Sequence, residues 1–270
     1  KIQGNGAVIF QTNCIDIPDY THGNCTLRFE DSFLYQIRKL NYLLAESCKN
    51  SLGIIPVDIL KYQNKFGYDY VFSAPAFFSA LMPYSLPFSK LFVQEWFHLY
   101  KAVNGLLVKC IVLDLDNTIW GGIVSEDGIG ALLISGSGEG RAFHYFQMWL
   151  KSMKERGLML AICSKNDCEQ VIRVFRERED MVLKWEDFSA YEINWDNKVK
   201  GIENIKNRLE ISYENMVFID DSPFERKNVE KEIPELIVPN LPEDPSEYIG
   251  FISSLNIFES NIADYLGNKR

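Results

Sequence analysis

The sequence predicts an α/β protein: a three-layer, doubly wound parallel sheet over 105–270, with a smaller N-terminal α/β region over 1–104. Three observations predict it. From Lys109 onward, apolar runs of strand length alternate with amphipathic runs of helix length, the order of a parallel sheet covered on both faces. The runs are continuously apolar rather than alternating with polar residues, as strands buried on both faces require. Three of them end in polar clusters, at Asp116, Ser164 and Asp221, on the edge where open parallel sheets hold their ligands.

Composition narrows the function. With 47% hydrophobic and 24% charged residues in 270, disordered and fibrous classes are excluded. A net charge of −9 argues against a nucleic-acid backbone binder, so an anionic substrate needs a local cationic pocket. Six cysteines are too sparse for a disulfide framework and fit reduced thiols in a cytoplasm. Three histidines and no CxxC leave little for structural zinc. The longest uncharged run, Tyr70 to Ser89, carries Pro75, Pro83 and Pro87 and is not a membrane span. The chain opens KIQGNGAVIF without a Met or a signal-peptide pattern, and we expect a segment of a longer polypeptide.

In order, the N-terminal region reads as an apolar run (AVIFQTN), a Gly/Pro/Asn-rich stretch, a helix near Phe33 to Cys48, and a second apolar run (GIIPVDIL). The aromatic, proline-punctuated segment follows, then a helix near Lys90 to Val103. The second region reads as strand KCIVLDLD, helix RAFHYFQMWLKSMKER, strand LMLAICS, helix CEQVIRVFRERE and a strand near MVLKW. Helix KGIENIKNRLE, strand NMVFIDD, a helix or turn, and strand ELIVP complete it. No internal repeat is present.

The strand ends carry the chemistry. Asp114 and Asp116 are spaced so that one can serve as nucleophile or metal ligand while the other handles protons. Alone, the pair reads equally well as two solvated loop aspartates. Asp220 and Asp221 change that, because four carboxylates converging on one edge repel unless a cation such as Mg²⁺ neutralises them. Ser164 and Lys198 add a hydroxyl and a point charge suited to phosphate. Phosphoryl chemistry at an aspartate with Mg²⁺ is the reading of the ensemble.

In order and spacing, VLDLDNT, CS, a lone Lys and FIDD resemble the four motifs of the haloacid dehalogenase (HAD) superfamily. More narrowly, DLDNTIWGGIVSEDG, AICSKND, INWDNK, VFIDDSPFER and SALMPYSLPFSKLF are similar to its FkbH-like branch, over about Tyr70 to Tyr248. Those proteins load a glyceryl unit from 1,3-bisphosphoglycerate onto the phosphopantetheine thiol of an acyl carrier protein in polyketide biosynthesis. The resemblance implies Asp114 as nucleophile and Mg²⁺ ligand, and Asp116 as acid/base and backbone Mg²⁺ ligand, with Asn117 and Thr118 completing the turn. It implies Ser164 and Lys198 at the phosphate, joined as substrate contacts by Lys165 and Asn166, and Asp220 and Asp221 at the metal. An acyl transferase need not use Asp114 as a nucleophile; the residue then only holds metal and phosphate.

Spacing adds an inference of its own. The 46 residues from Asn117 to Ile162 and the 33 between Ser164 and Lys198 are consumed by the expected elements, leaving no room for a cap. An open site suits a macromolecular partner or coverage by the N-terminal region.

Cys163 separates two functions. As a residue type at a strand end it reads first as a small buried hydrophobe; beside a Lys, a metal and a helix N-terminus it also reads as a nucleophile for an acyl phosphate. The FkbH-like resemblance favours the second, with Cys163 as the thioester-forming residue. The runner-up is a Mg²⁺-dependent phosphatase of a small metabolite or phosphoprotein. Arg141, after SGSGEG, is a candidate second anion contact, and Lys151, Lys154 and Arg156, or Arg173, Arg176 and Arg178, are candidate docking faces for an acidic carrier. Trp120-Gly121-Gly122 reads either as a core-packed turn or as a pocket-shaping loop.

Overall fold

The structure is a computed structural model describing residues 8–49, 51 and 53–259. These fall into two compact units divided between Gly105 and Leu106. Ala7 of the first apolar run, and 260–270 of the expected second region, lie outside the described residues.

In the first unit, β1 (Ile9–Thr12) and β2 (Ile54–Val57) pair in parallel, with α1 (Phe33–Lys49) as the crossover. Then come α2 (Leu60–Phe66), α3 (Tyr68–Val71), α4 (Ala74–Ala80) and α5 (Leu86–Val103). The proline-punctuated segment forms the end of α3, all of α4 and the start of α5. Pro75 and Pro87 occupy the first turns of α4 and α5, where a missing N–H costs nothing, and Ser73 and Ser85 accept from Ala76 N and Phe88 N as caps. That capping starts α5 at Leu86, ahead of the expected Lys90.

The second unit holds the parallel sheet, in the order β5-β4-β3-β6, that continuous apolar runs predicted. Its elements are β3 (Cys110–Leu113), α6 (Val124–Asp127), α7 (Arg141–Glu155), β4 (Met159–Ser164), α8 (Cys168–Glu177) and β5 (Phe188–Ile193). They continue with α9 (Lys198–Leu209), β6 (Met216–Ile219), α10 (Pro223–Glu232) and α11 (Tyr248–Ser254).

Alternate side chains of each strand point to opposite faces and build two cores. Ile111, Leu113, Leu160, Ile162, Val217 and Ile219 pack with Phe146 and Leu150 of α7, Val171 and Val174 of α8, and Tyr248 and Ile252 of α11. Cys110, Val112, Ala161, Cys163, Met216 and Phe218 pack with Ile202 and Ile205 of α9 and Val229 of α10. This is the three-layer, doubly wound architecture.

Two expected strands are corrected. MVLKW is not a strand: Met181 and Leu183 are core residues, but the Val182 and Leu183 amides donate to the Gln147 side chain at 3.0 and 3.2 Å instead of to a ladder. The fourth strand is β5, directly after it. ELIVP contributes a single parallel bridge, Ile237 to Val217, because Pro234 and Pro239 bound the run and remove ladder donors.

Candidate active site

The site forms where β3, β4 and β6 end. Asp114 is the first residue beyond β3, and its amide still donates to Ile219 O at 2.9 Å, so the sheet itself fixes its backbone. Asp220 and Asp221 follow β6 directly. Lys198 opens α9, whose N-cap Asn197 accepts from Val199 N. Lys198 Nζ donates to Asp114 Oδ1 at 2.7 Å and to Asp220 Oδ2 at 2.5 Å, joining three chain segments. Asp114, Lys198 and Asp220 are 6%, 5% and 0% exposed, so the charges neutralise one another where water does little of it.

Burial opposes the Lys198 charge, yet the two carboxylates more than offset it and hold the ammonium above its ordinary range. Burial, then the Asp114 charge, pushes Asp220 up to about 6, against the pull of Lys198 and the Ser222 amide. The same two causes raise Asp221. One lysine among three carboxylates leaves excess negative charge. Carboxylate oxygens of Asp114, Asp220 and Asp221 lie within 4.8 Å of one another, a hard-oxygen donor set that fits Mg²⁺ or a similar divalent cation.

Asp116 has a different environment, with N–H donors in place of a cation. Its Oδ1 accepts from Trp120 Nε1 at 2.8 Å and Val124 N at 3.2 Å, and its Oδ2 from Asn166 Nδ2 at 2.9 Å. Burial raises its pKa, with these hydrogen bonds working in the opposite direction. Asn166 Nδ2 also donates to Ser164 Oγ at 3.2 Å, so the expected acid/base and the expected phosphate-contacting hydroxyl share one amide. Trp120 is wholly buried, and Gly121 pairs with Leu133 in a tight approach where a Cβ would meet Phe143 at 2.7 Å. The Trp-Gly-Gly turn therefore packs the core and reaches the site at once.

The remaining expected residues divide. Asn117, at φ 52°, accepts from Gly122 N through its side chain at 2.9 Å and shapes the turn. Thr118 is fully buried, and its hydroxyl accepts from Asp221 N at 3.1 Å, which makes it a support for the Asp220–Asp221 turn, away from solvent. Lys165 is ion-paired with Glu225 at 2.7 Å, beside the cluster rather than in it. Arg141 is exposed and turns back onto Gly136 O at 3.2 Å.

Cys163 is 2% exposed and faces α9: its Sγ lies 3.6 Å from Lys198 O, and a Cβ on Gly201 would meet it at 2.9 Å. Burial pushes this thiol up to about 12. On the expected docking faces, Lys151 and Lys154 pair with buried Asp187, Arg173 with Glu177, and Arg178 with Asp180.

Two contributors were not legible in the sequence. Arg226 is 6% exposed and donates to Asp220 O and Asp221 O at 2.7 Å each and to Asn240 Oδ1 at 2.9 Å, fixing the Asp-Asp turn. Tyr248 OH donates to Asn117 O at 3.2 Å from the far end of the chain. An Arg early in a polar helix and a Tyr opening another give no sequence signal of a reach to another segment.

A four-stranded parallel sheet with aspartates at two strand ends, a lysine at a helix start and an oxygen cluster for a divalent cation defines a HAD-like α/β protein. Residues 2–97 match the FkbH N-terminal domain family. The chain is 35% identical to the N-terminal part of the protein BF1531 from Bacteroides fragilis, which contains a phosphatase domain and is complexed with Mg; the TM-score is 0.88 over 94% of this chain and 68% of that one. The chain belongs to the FkbH-type branch of the HAD-like proteins. A 3-deoxy-D-manno-octulosonate 8-phosphate phosphatase from Moraxella catarrhalis, in complex with magnesium, phosphate and KDO, is 21% identical with a TM-score of 0.32 over 56% of this chain and 78% of that one. No curated protein matches the chain.

Proposed function

We propose that this chain carries out Mg²⁺-dependent phosphoryl transfer from a small phosphorylated substrate through Asp114. The observation that carries the reading is the buried Asp114–Lys198–Asp220 cluster, with Asp221 completing a hard-cation donor set. Mg²⁺ bound by Asp114, Asp220 and Asp221 supplies charge neutralisation for the incoming phosphate.

The residues of the chain perform the rest. Lys198 fixes Asp114 through the 2.7 Å contact to its Oδ1, and an Asp114 oxygen attacks phosphorus; the new O–P bond forms as the bond to the leaving oxygen breaks. Asp116, raised by burial, gives its proton to that oxygen. Asp116 then takes a proton from water, whose oxygen attacks the same phosphorus as the Asp114 O–P bond breaks, releasing inorganic phosphate and restoring the Asp114 carboxylate. Ser164 and Lys198 hold the phosphoryl oxygens.

A second reading is favoured by the FkbH family match: transfer of a glyceryl unit from 1,3-bisphosphoglycerate to a carrier-protein phosphopantetheine thiol, in polyketide biosynthesis. Here the Cys163 sulfur attacks the acyl carbon and a C–S bond forms as the C–O bond to phosphate breaks, the thiol proton leaving with the phosphate; the carrier thiol then attacks the thioester, its proton passing to the Cys163 sulfur as that C–S bond breaks. With its thiol beneath α9 and held protonated, Cys163 reaches an acyl group only if the first turns of α9 move. The geometry therefore ranks phosphoryl transfer first, the reverse of the order taken from the motifs. Six free thiols support a reducing, cytoplasmic setting for either reaction.

Intact-protein mass spectrometry after incubation with Mg²⁺ and 1,3-bisphosphoglycerate separates the two. The first reading expects phosphate release with no acyl adduct, equal in wild type and Cys163→Ala. A glyceryl or phosphoglyceryl adduct on wild type alone overturns it in favour of the second.

A further inference from the structure

We infer that Trp120 and Asn166 are positioning residues that hold the two oxygens of Asp116 for proton transfer; the meaning of Asp116 rests on the phosphoryl-transfer reading. The Trp120 ring is fully buried and packs edge-on against Phe175, at 6.0 Å between centroids, so it is not free to swing. Its indole N–H reaches Asp116 Oδ1 at 2.8 Å, four residues back in the same turn. A buried indole N–H left without an acceptor is costly, so ring and carboxylate fix each other. Asn166, 2% exposed, takes the other oxygen at 2.9 Å, and its second N–H contact, Ser164 Oγ, ties the acid/base to the phosphate-contacting hydroxyl.

Each oxygen is thus addressed by a donor from a different strand end, and none of those donors carries a formal charge. The carboxylate is oriented without the ion pairing that holds Asp114. A core-filling role for Trp120 needs only an aromatic ring, whereas the positioning role needs the N–H. An amide at residue 116 cannot satisfy the arrangement, because its NH₂ faces one of the two donors.

The test compares wild type, Trp120→Phe, Asp116→Asn and the double variant, with p-nitrophenyl phosphate and Mg²⁺ as the probe. Trp120→Phe is expected to lower kcat about tenfold with KM within about twofold, the signature of lost alignment rather than lost binding. That drop is expected to vanish in the Asp116→Asn background. Asn166→Ala gives the same non-additivity and stands in if Trp120→Phe does not fold. An effect of equal size in both backgrounds, or an unchanged kcat, overturns the proposal. One readout needs no turnover: of the five tryptophan indole N–H signals in a ¹⁵N spectrum, one shifts strongly on Asp116→Asn. If the wild type releases no phosphate, the reaction reading falls and this signal alone decides the clamp; five unmoved signals overturn it.

Discussion

Lys198 is the residue on which the site balances. It lies 2.7 Å from Asp114 and 2.5 Å from Asp220, both buried, so Lys198→Met strands two carboxylates in the interior. Breaking one partner out of a buried charge cluster costs about 3 kcal/mol. We predict a loss of that size in metal-free denaturant unfolding, partly restored by Mg²⁺, which supplies the missing positive charge. An unchanged midpoint without metal would show that the cluster is not compensated as described. The raised carboxyls make a pH prediction of known sign. Asp220, near 6 when folded against 3.8 as its ordinary value, favours folding below the lower figure and loses that contribution as pH rises through the upper one. Mg²⁺ takes the place of the bound protons, so its stabilising shift in Tm is expected to grow between pH 5 and pH 7. A shift that shrinks over that range contradicts the placement of the metal on these carboxylates.

At the scale of elements, the decisive contact is α9 on β4. Gly201 of α9 sits over Cys163 so closely that a Cβ would lie 2.9 Å from Sγ and 3.3 Å from Glu192 Cβ. Overpacking costs about 1 to 3 kcal/mol, more than the roughly 1 kcal/mol that Ala gains over Gly in a helix. Gly201→Ala is therefore expected to lower Tm, and Cys163→Ala, which opens space at that point, is expected to remove most of the loss in the double variant. Additive losses would mean that α9 does not rest on the thiol. The same contact predicts slow alkylation of Cys163 by iodoacetamide in the native protein and rapid alkylation in urea, read by peptide mass spectrometry.

Elements also show what a sequence discloses. The strand ends expected at Asp116, Ser164 and Asp221 were legible because uninterrupted apolar runs give way to polar clusters there, and a parallel sheet gathers such stops on one edge. Lys198 was read as a point charge suited to phosphate and then given its role by the family resemblance, and its position at a helix start is the physical reason that it reaches the same edge. MVLKW was misread because burial of Met181 and Leu183 mimics a strand while Gln147, thirty-odd residues away in the chain, satisfies the backbone. The attachments of Trp120, Arg226 and Tyr248 were not legible, since which partner a side chain meets depends on segments brought together by the fold.

For the whole molecule, the chain has two compact units, and every residue of the cluster lies in the second. The core of that unit closes on itself across both faces of the sheet, so residues 106–259 are expected to unfold cooperatively on their own and to retain a Mg²⁺-dependent Tm shift. Among the described residues no helix is long and apolar enough to cross a membrane. The net charge of −9 sharpens the demand on local chemistry: Lys198 is the cation of the cluster, and in the proposed reaction it faces the phosphate while a divalent ion makes up the difference.

The most direct test of the central claim is Mg²⁺-dependent phosphate release by purified wild type, Asp114→Asn and Cys163→Ala, measured side by side on the same phosphorylated substrate. We predict equal turnover for wild type and Cys163→Ala, abolished by chelation, and a loss of at least about a thousandfold in Asp114→Asn. Turnover that survives in Asp114→Asn, or disappears in a folded Cys163→Ala, would contradict phosphoryl transfer through Asp114.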